Sequence, residues 1–254
     1  MRDAWNSPYQ TREYFEAVKN IGVPMEEVAV NNQQKVYFDG SYNTMIAWEV
    51  SADVDTSNIQ LDNRVIFQQS EDDHAQDAES YYTLVISPSS EYSRRFKRSI
   101  HKSNIEIPNA TLSIAETRQQ IDLAVNFFQQ NPERRDNLPM EDFRKYIVAL
   151  GQVGILTSYV LQNSSEMLGV AHVLKSDDVV NLRYYSADRI GNAGHLLHHK
   201  VIEDIFTNTN IETIDLSGIS PFSTDDKMIR IDEFKNQIGG KVIEFTKIVN
   251  EPDC

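Results

Sequence analysis

The sequence predicts an α/β protein in which a mixed sheet is covered by helices packed across it. Three observations carry this expectation. From Ile155 to Val249, short apolar runs alternate with longer amphipathic ones in the order three strands, helix, strand, helix, strand. The first three runs, Ile155 to Leu161, Met167 to Lys175 and Val179 to Ser186, are separated only by the turns Gln162 to Glu166 and Asp177-Asp178, which makes them a meander. The two helical stretches carry apolar stripes at helical spacing: Leu197, Val201 and Ile205 between His195 and Thr207, and Met228, Ile231, Phe234 and Ile238 between Asp226 and Ile238. Ile211 to Leu216 and Val242 to Val249 are the fourth and closing strands.

The first part of the chain reads less regularly. Tyr9 to Asn20 is a helix ended by Gly22 and Pro24. Lys35 to Phe38 and Thr44 to Val50 are strands around a turn at Asp39-Gly40-Ser41. Arg64 to Phe67 and Tyr81 to Ile86 are further strands. Ser89 to Ser103 is a helix with Ser89 or Ser90 as its cap. Glu116 to Gln130 and Met140 to Leu150 are two more helices, with Phe127, Phe128, Phe143, Ile147 and Leu150 as apolar anchors.

Composition sets the outer bounds. With 254 residues, 40% of them hydrophobic and 24% charged, the chain can bury an ordinary globular core. The sole cysteine is Cys254, so neither a disulfide framework nor a thiolate metal site is expected. No apolar run reaches the roughly 20 residues of a membrane span, and Met1 to Asn6 lacks the apolar core of a signal peptide, so a cytoplasmic protein is expected. The net charge of -14 argues against DNA and disfavours tRNA as a partner, because phosphate backbones reward basic surfaces. Charge is unevenly spread. Glu71, Asp72, Asp73, Asp77 and Glu79 form an acidic stretch, and Arg94, Arg95, Lys97, Arg98 and Lys102 a basic one.

Several residues have the chemistry of a site. Between Ser186 and His195 a strand leads through Ala187, Arg189, Gly191, Asn192, Ala193 and Gly194 into a helix start. Free N–H groups at such a start, with Arg189 beside them, suit a phosphate; the plainer reading is a tight turn. Tyr184 and Tyr185 are neighbours on a strand and face opposite sides, so one belongs to the core and the other is free to protonate a leaving group. Arg94, Arg95 and Arg98 can converge on one phosphate or carboxylate of an acceptor, or form a surface helix paired with the acidic stretch. Asp215 stands at a strand end, a common place for active groups, or caps a turn. Lys235 reads as a solvated lysine beside Phe234. His195 and His199, at i and i+4, lack a third ligand and read as exposed helix residues, and His172 as a hydrogen-bonded core residue or a base lining a cleft; no metal is expected.

These stretches resemble the GNAT acyltransferases, and among them the FemAB-type transferases. The resemblance rests on Leu182-Arg183-Tyr184-Tyr185-Ser186-Ala187, Gly194-His195-Leu196-Leu197, Ile214-Asp215-Leu216-Ser217-Gly218-Ile219 and Glu233-Phe234-Lys235-Asn236-Gln237-Ile238-Gly239-Gly240. It covers residues 155–249 and extends loosely to the basic segment Tyr92 to Ile100. One departure is clear: counting from Arg189, Asn192 stands where the usual GNAT loop has its first glycine.

The resemblance implies a GNAT-like mixed twisted sheet with flanking helices, divided into a reduced N-terminal GNAT-like subdomain over residues 1–90 and the acyltransferase domain over 91–254. It implies that Leu182 to Ser186 splays from its neighbour and holds a pantetheine arm. Ser186, Ala187, Arg189, Gly191, Asn192, Ala193 and Gly194 would then meet the donor's pyrophosphate. Lys235 becomes an anion-binding or carbonyl-polarising cation, catalytic together with Tyr184 and Tyr185. Arg94, Arg95, Arg98 and Asp215 become substrate-binding residues. The expected activity is N-acyl transfer from acyl-CoA, acetyl-CoA included, as a co-substrate without any permanently bound cofactor. The small-molecule amine acceptor would be an amino sugar or a cell-envelope precursor. Two alternatives stand beside it: an aminoacyl-tRNA-dependent FemAB-type transferase, and a non-catalytic binding protein that kept the fold.

Overall fold

The computed structural model describes residues 5–31, 34–42, 44–70, 80–130, 140–164 and 166–249. The acidic stretch from Glu71 to Glu79 and the terminal Cys254 lie outside them. The described strands are β1 (Met25–Ala29), β2 (Lys35–Tyr42), β3 (Thr44–Val50), β4 (Arg64–Gln69), β5 (Tyr81–Ile86), β6 (Ala110–Ile114), β7 (Leu156–Asn163), β8 (Glu166–Lys175), β9 (Val179–Ala187), β10 (Thr213–Ile219) and β11 (Lys241–Ile248). The helices are α1 (Arg12–Asn20), α2 (Arg94–Glu106), α3 (Arg118–Gln130), α4 (Met140–Gln152), α5 (Ala193–Asn208) and α6 (Asp226–Ile238).

All the strands join one sheet in the order β1-β2-β3-β4-β11-β5-β10-β9-β8-β7-β6. The C-terminal strand β11 therefore lies between β4 and β5, and strands from both sides of residue 90 share the sheet. The pairs β3–β4 and β9–β10 are parallel and the rest antiparallel. This is the mixed sheet with flanking helices that the element order predicts.

The two faces of the sheet sort the core into two layers, with a register shift in β9 between Asn181 and Tyr184. Tyr185, Leu182 and Ala171 face one side with Phe96 of α2, Leu196, Leu197 and Val201 of α5 and Ile238 of α6. Tyr184, Val170 and Leu174 face the other with Tyr14 of α1, Phe128 of α3 and Phe143 and Ile147 of α4. Among the described residues, no helix is long and apolar enough to cross a membrane.

Two local expectations are corrected. Asp39 and Gly40 lie inside β2, because the Gly40 N–H donates to the Pro24 carbonyl at 2.8 Å and a side chain at Gly40 would meet Pro24 at 2.9 Å. Helix α2 begins at Arg94 because the Ser93 hydroxyl, rather than Ser89 or Ser90, accepts the Phe96 N–H. At the other end of the core, Gly239 and Gly240 (φ 91° and 111°) turn α6 into β11; a Cβ on Gly240 would lie 2.2 Å from the Val85 carbonyl oxygen. The sharpness of that turn sets α6 directly against the sheet.

Candidate active site

Strands β9 and β10 pair over three residues, Val179 with Thr213, Asn181 with Asp215 and the pair between them. There the pairing stops. At the same place β10 shifts register against β5, between Asp215 and Gly218, with Ser217 in the left-handed region at φ 66°. A bulge bends the strand that carries it, so β10 turns away, while β9, after a register shift of its own between Asn181 and Tyr184, stays paired with β8 to Ala187.

The bulge is held by buried polar groups. Asp215 is fully buried and accepts from the Thr83 hydroxyl, from Asn181 Nδ2 at 2.6 Å and from the Ser217 N–H at 2.7 Å. Burial raises its carboxyl above the usual range, against the pull of these donors and of nearby Lys235. Lys235 is itself only 6% exposed, and its ammonium donates to the carbonyls of Ser217 at 3.1 Å and Gly218 at 2.5 Å. Those carbonyls belong to the part of β10 that β9 has left, and an ammonium supplies the donors that a neighbouring strand would have given.

The divergence opens a cleft of about 1490 Å³. One wall is the end of β9 from Arg183 to Ala187. The second is the entry to α5 at Asn192, Gly194 and His195. The third is the face of α6 bearing Lys227, Arg230 and Phe234. Arg183, Arg189, Lys227 and Arg230 stand against one acid, Asp188, in this lining. A chain of net charge -14 has thus turned a basic surface toward this cleft.

The structure gathers most of the expected donor-binding residues. Ser186, Ala187, Arg189, Asn192 and Gly194 line the cleft. Gly191 does not. At φ 56° it packs under the end of α2, where an added Cβ would lie 3.2 Å from Ile107 and 3.3 Å from Glu106. Ala193 is fully buried in the core and also stays out of the lining. Gly191→Ala is therefore expected to lower stability by about 1–2 kcal/mol, the cost of a left-handed alanine, with cleft-ligand affinity unchanged. A calorimetric melt with a parallel ligand titration checks this, and lost affinity at unchanged stability would contradict it.

Tyr184 and Tyr185 face opposite sides of β9 and both line the cleft. Tyr184 packs edge-on to Phe128, Phe143 and Tyr146. The Tyr185 ring meets His198 at 4.2 Å, edge to face. The residues next to each other on α6 exchange the positions expected of them. Phe234 faces the cleft against His195 and His198, while Lys235, three residues before buried Ile238, points into the sheet. Asp215 likewise builds the bulge and does not line the cleft.

The basic helix stays outside. Arg94, Arg95 and Arg98 are exposed on α2 and none lines the cleft. Arg95 comes nearest: burial, and then its charge, hold the His195 imidazole below its usual pKa. His199 approaches Tyr92 and Glu203, and no group of three metal-ligating side chains occurs among the described residues. His172 is a core residue with Nδ1 bonded to the Ser158 hydroxyl at 2.8 Å, and burial lowers its pKa to about 3.

Sequence reasoning overlooked Arg183, Lys227, Arg230 and His198. For Arg183 there was a signal, the one charge in the run Val179 to Tyr185, whose other residues, Asn181 apart, are apolar or aromatic. Its guanidinium donates to the Tyr9 hydroxyl at 3.2 Å and lies over the rings of Tyr9, Trp48 and Tyr184.

No protein-family model matches the chain, and no curated protein matches it in sequence. Solved structures do match in fold. FemX superposes with a TM-score of 0.67 at 10% identity, over 95% of this chain and 91% of that one. The C-terminal domain of a putative lysylphosphatidylglycerol synthetase from Agrobacterium fabrum gives 0.61 at 10% identity, over 92% and 86%. L-PGS from Bacillus licheniformis gives 0.56 at 8% identity, over 93% and 92%. The architecture is GNAT-like and of the FemAB kind, and at these identities the likeness is one of fold.

Proposed function

We propose that this chain is an N-acyltransferase that takes an acyl group from a CoA thioester and passes it to an amine. The observation that carries the reading is the parting of β9 from β10 after Asn181 and Asp215, beside a basic cleft. Where two strands part, an extended amide-containing arm can lie alongside one of them, as in strand addition. A pantetheine arm is such a chain. Laid along Tyr184 to Ala187, it would bring its pyrophosphate to Arg189 and to the N–H groups opening α5, where the helix dipole also favours an anion.

The chemistry needs little more than placement. The neutral amine attacks the thioester carbon, a C–N bond forms, the C–S bond breaks, and the nitrogen gives up a proton as the thiolate gains one. Holding the reactants together supplies much of the acceleration. Tyr185 is the proposed proton donor to the thiolate, and Tyr184 shapes the acyl end. Lys235 is proposed to act through β10, by holding the bulge that keeps the cleft open.

A second reading, an aminoacyl-tRNA donor, draws on the fold shared with FemX and on the basic face of α2, whose Arg95 lies close to His195 at the cleft. The test is a thermal-shift titration with CoA, acetyl-CoA and longer acyl-CoAs. A ligand at a hundred times its Kd stabilises by about 2.7 kcal/mol. The CoA series is expected to raise the melting temperature, and Arg189→Ala to weaken binding roughly tenfold, the worth of one charged hydrogen bond, with kcat nearly unchanged. No shift with any CoA ester, alongside consumption of aminoacyl-tRNA, would replace the first reading by the second.

A further inference from the structure

A second cavity, of about 300 Å³, lies between α1, β2, α4 and β9. Arg183 and Tyr184 line both this cavity and the cleft, so the two meet at one piece of β9. A molecule seated in the smaller cavity can present one end to an acyl group in the larger one. The role given to α2 by the sequence, acceptor binding by Arg94, Arg95 and Arg98, has no such geometry.

Of the oppositely charged Asp39 and Arg183, only Arg183 is shared with the cleft, so its end of the cavity is the near one and that of Asp39 the far one. At the far end is Asp39, 8% exposed, whose Oδ2 accepts from the Tyr14 hydroxyl at 3.0 Å; the Tyr146 hydroxyl donates in turn to Tyr14 at 3.4 Å. The Tyr14 and Tyr146 rings stand edge to face, 6.4 Å apart, and burial raises both phenols so that they stay protonated. A buried carboxylate beside aromatic rings is a setting that binds an ammonium. Asp142 and Lys145 also line the cavity and pair with each other at 3.7 Å, adding no net charge. At the near end the Arg183 guanidinium sits where the cavities meet. A fixed positive charge there disfavours a second ammonium and favours the neutral, nucleophilic form of an amine.

We infer that the small cavity is the acceptor site and that the acceptor is a small diamine-type molecule, one ammonium held at Asp39 and the other end, a neutral amine, presented beside Arg183 and Tyr184. The volume suits a short unbranched chain and is at the lower bound of ordinary ligand pockets. The inference rests on the N-acyltransferase reading. Acyl transfer would form the C–N bond at the near amine and break the C–S bond of the donor, leaving the far ammonium unchanged and the product singly charged.

Calorimetric titration of the full chain with 1,5-diaminopentane, pentylamine and N-acetyl-1,5-diaminopentane tests this. The diamine and pentylamine are both expected to bind through an ammonium at Asp39, and only the diamine then presents a second amine at the near end for acylation. Asp39→Asn, which keeps an oxygen for Tyr14, should weaken both the diamine and pentylamine at least tenfold while CoA binding stays as in the parent. Binding of neither amine to the unmodified chain, or binding of both unchanged by Asp39→Asn, overturns the inference. If acyl-CoA is turned over with monoamines as readily as with diamines, the acceptor inference fails and the acyltransferase reading stands. If diamines bind as expected but no CoA ester binds or reacts, the cavity assignment stands and the acyltransferase reading fails.

Discussion

Lys235→Met is expected to melt about 6–12 °C below the parent. The lysine donates to two carbonyls of β10 in a buried setting and lies near buried Asp215. Methionine fills much of the volume but leaves both carbonyls without these donors and Asp215 without its cation. A buried group left unsatisfied costs about 1–3 kcal/mol, and a combined loss of about 3 kcal/mol converts, for a chain of this size, at about 2–4 °C per kcal/mol. Because the bulge shapes the cleft, acyl-CoA affinity should fall with stability. A lysine that served only the oxyanion would behave differently: its loss would lower kcat by roughly 10²–10³ at an unchanged melting temperature. A variant with the parent's melting temperature would therefore return Lys235 to the chemistry and remove it from the architecture.

That position marks where sequence reasoning stopped being sufficient. Helix α5 and strands β7 to β9 were legible because each buries a face against the core, so apolar spacing follows the helical or strand period. The edge strands β1 and β6 were not seen. Each has a neighbour on one side only, and β1 shows partly exposed residues along its length, so Met25-Glu26-Glu27-Val28-Ala29 carries no clean alternation. The site divides the same way. The segment Ser186 to Gly194 was legible as a strand running through a loop into a helix, a local pattern. Lys235 owes its burial to carbonyls freed when two strands distant in sequence part. Arg183 owes its position to Tyr9 and Trp48, more than a hundred residues earlier. Periodicity along one segment does not contain such pairings. The smaller cavity is least legible of all, since its polar groups come from α1, β2, α4 and β9.

Glu49→Gln is expected to flatten the dependence of stability on pH. Glu49 is 1% exposed in β3, accepts from the Ser7 hydroxyl at 2.8 Å, and has its carboxyl pushed up to about 8. Burial is the main cause and the nearby Asp215 carboxyl adds to it, while Ser7 and Arg183 act in the opposite direction. Tyr9, buried, and Tyr81, partly buried, also feel its charge. In the unfolded chain a glutamate titrates near 4.3. The folded state therefore binds the extra proton between these values. Stability contributed by the protonated carboxyl is full below about pH 4.3 and is lost progressively as pH rises to about 8. Each unit is worth about 1.4 kcal/mol, so between pH 5 and 9 the parent should lose about 4 kcal/mol through this group. Glutamine keeps an oxygen for Ser7 and cannot ionise; its neutrality also relieves Asp215. Denaturant unfolding of parent and variant at both pH values gives the comparison. The two should agree within about 1 kcal/mol at pH 5, and the variant should be the more stable at pH 9. Parallel pH profiles would mean that Glu49 is ionised in the folded protein throughout, held by Arg183 more strongly than burial opposes it.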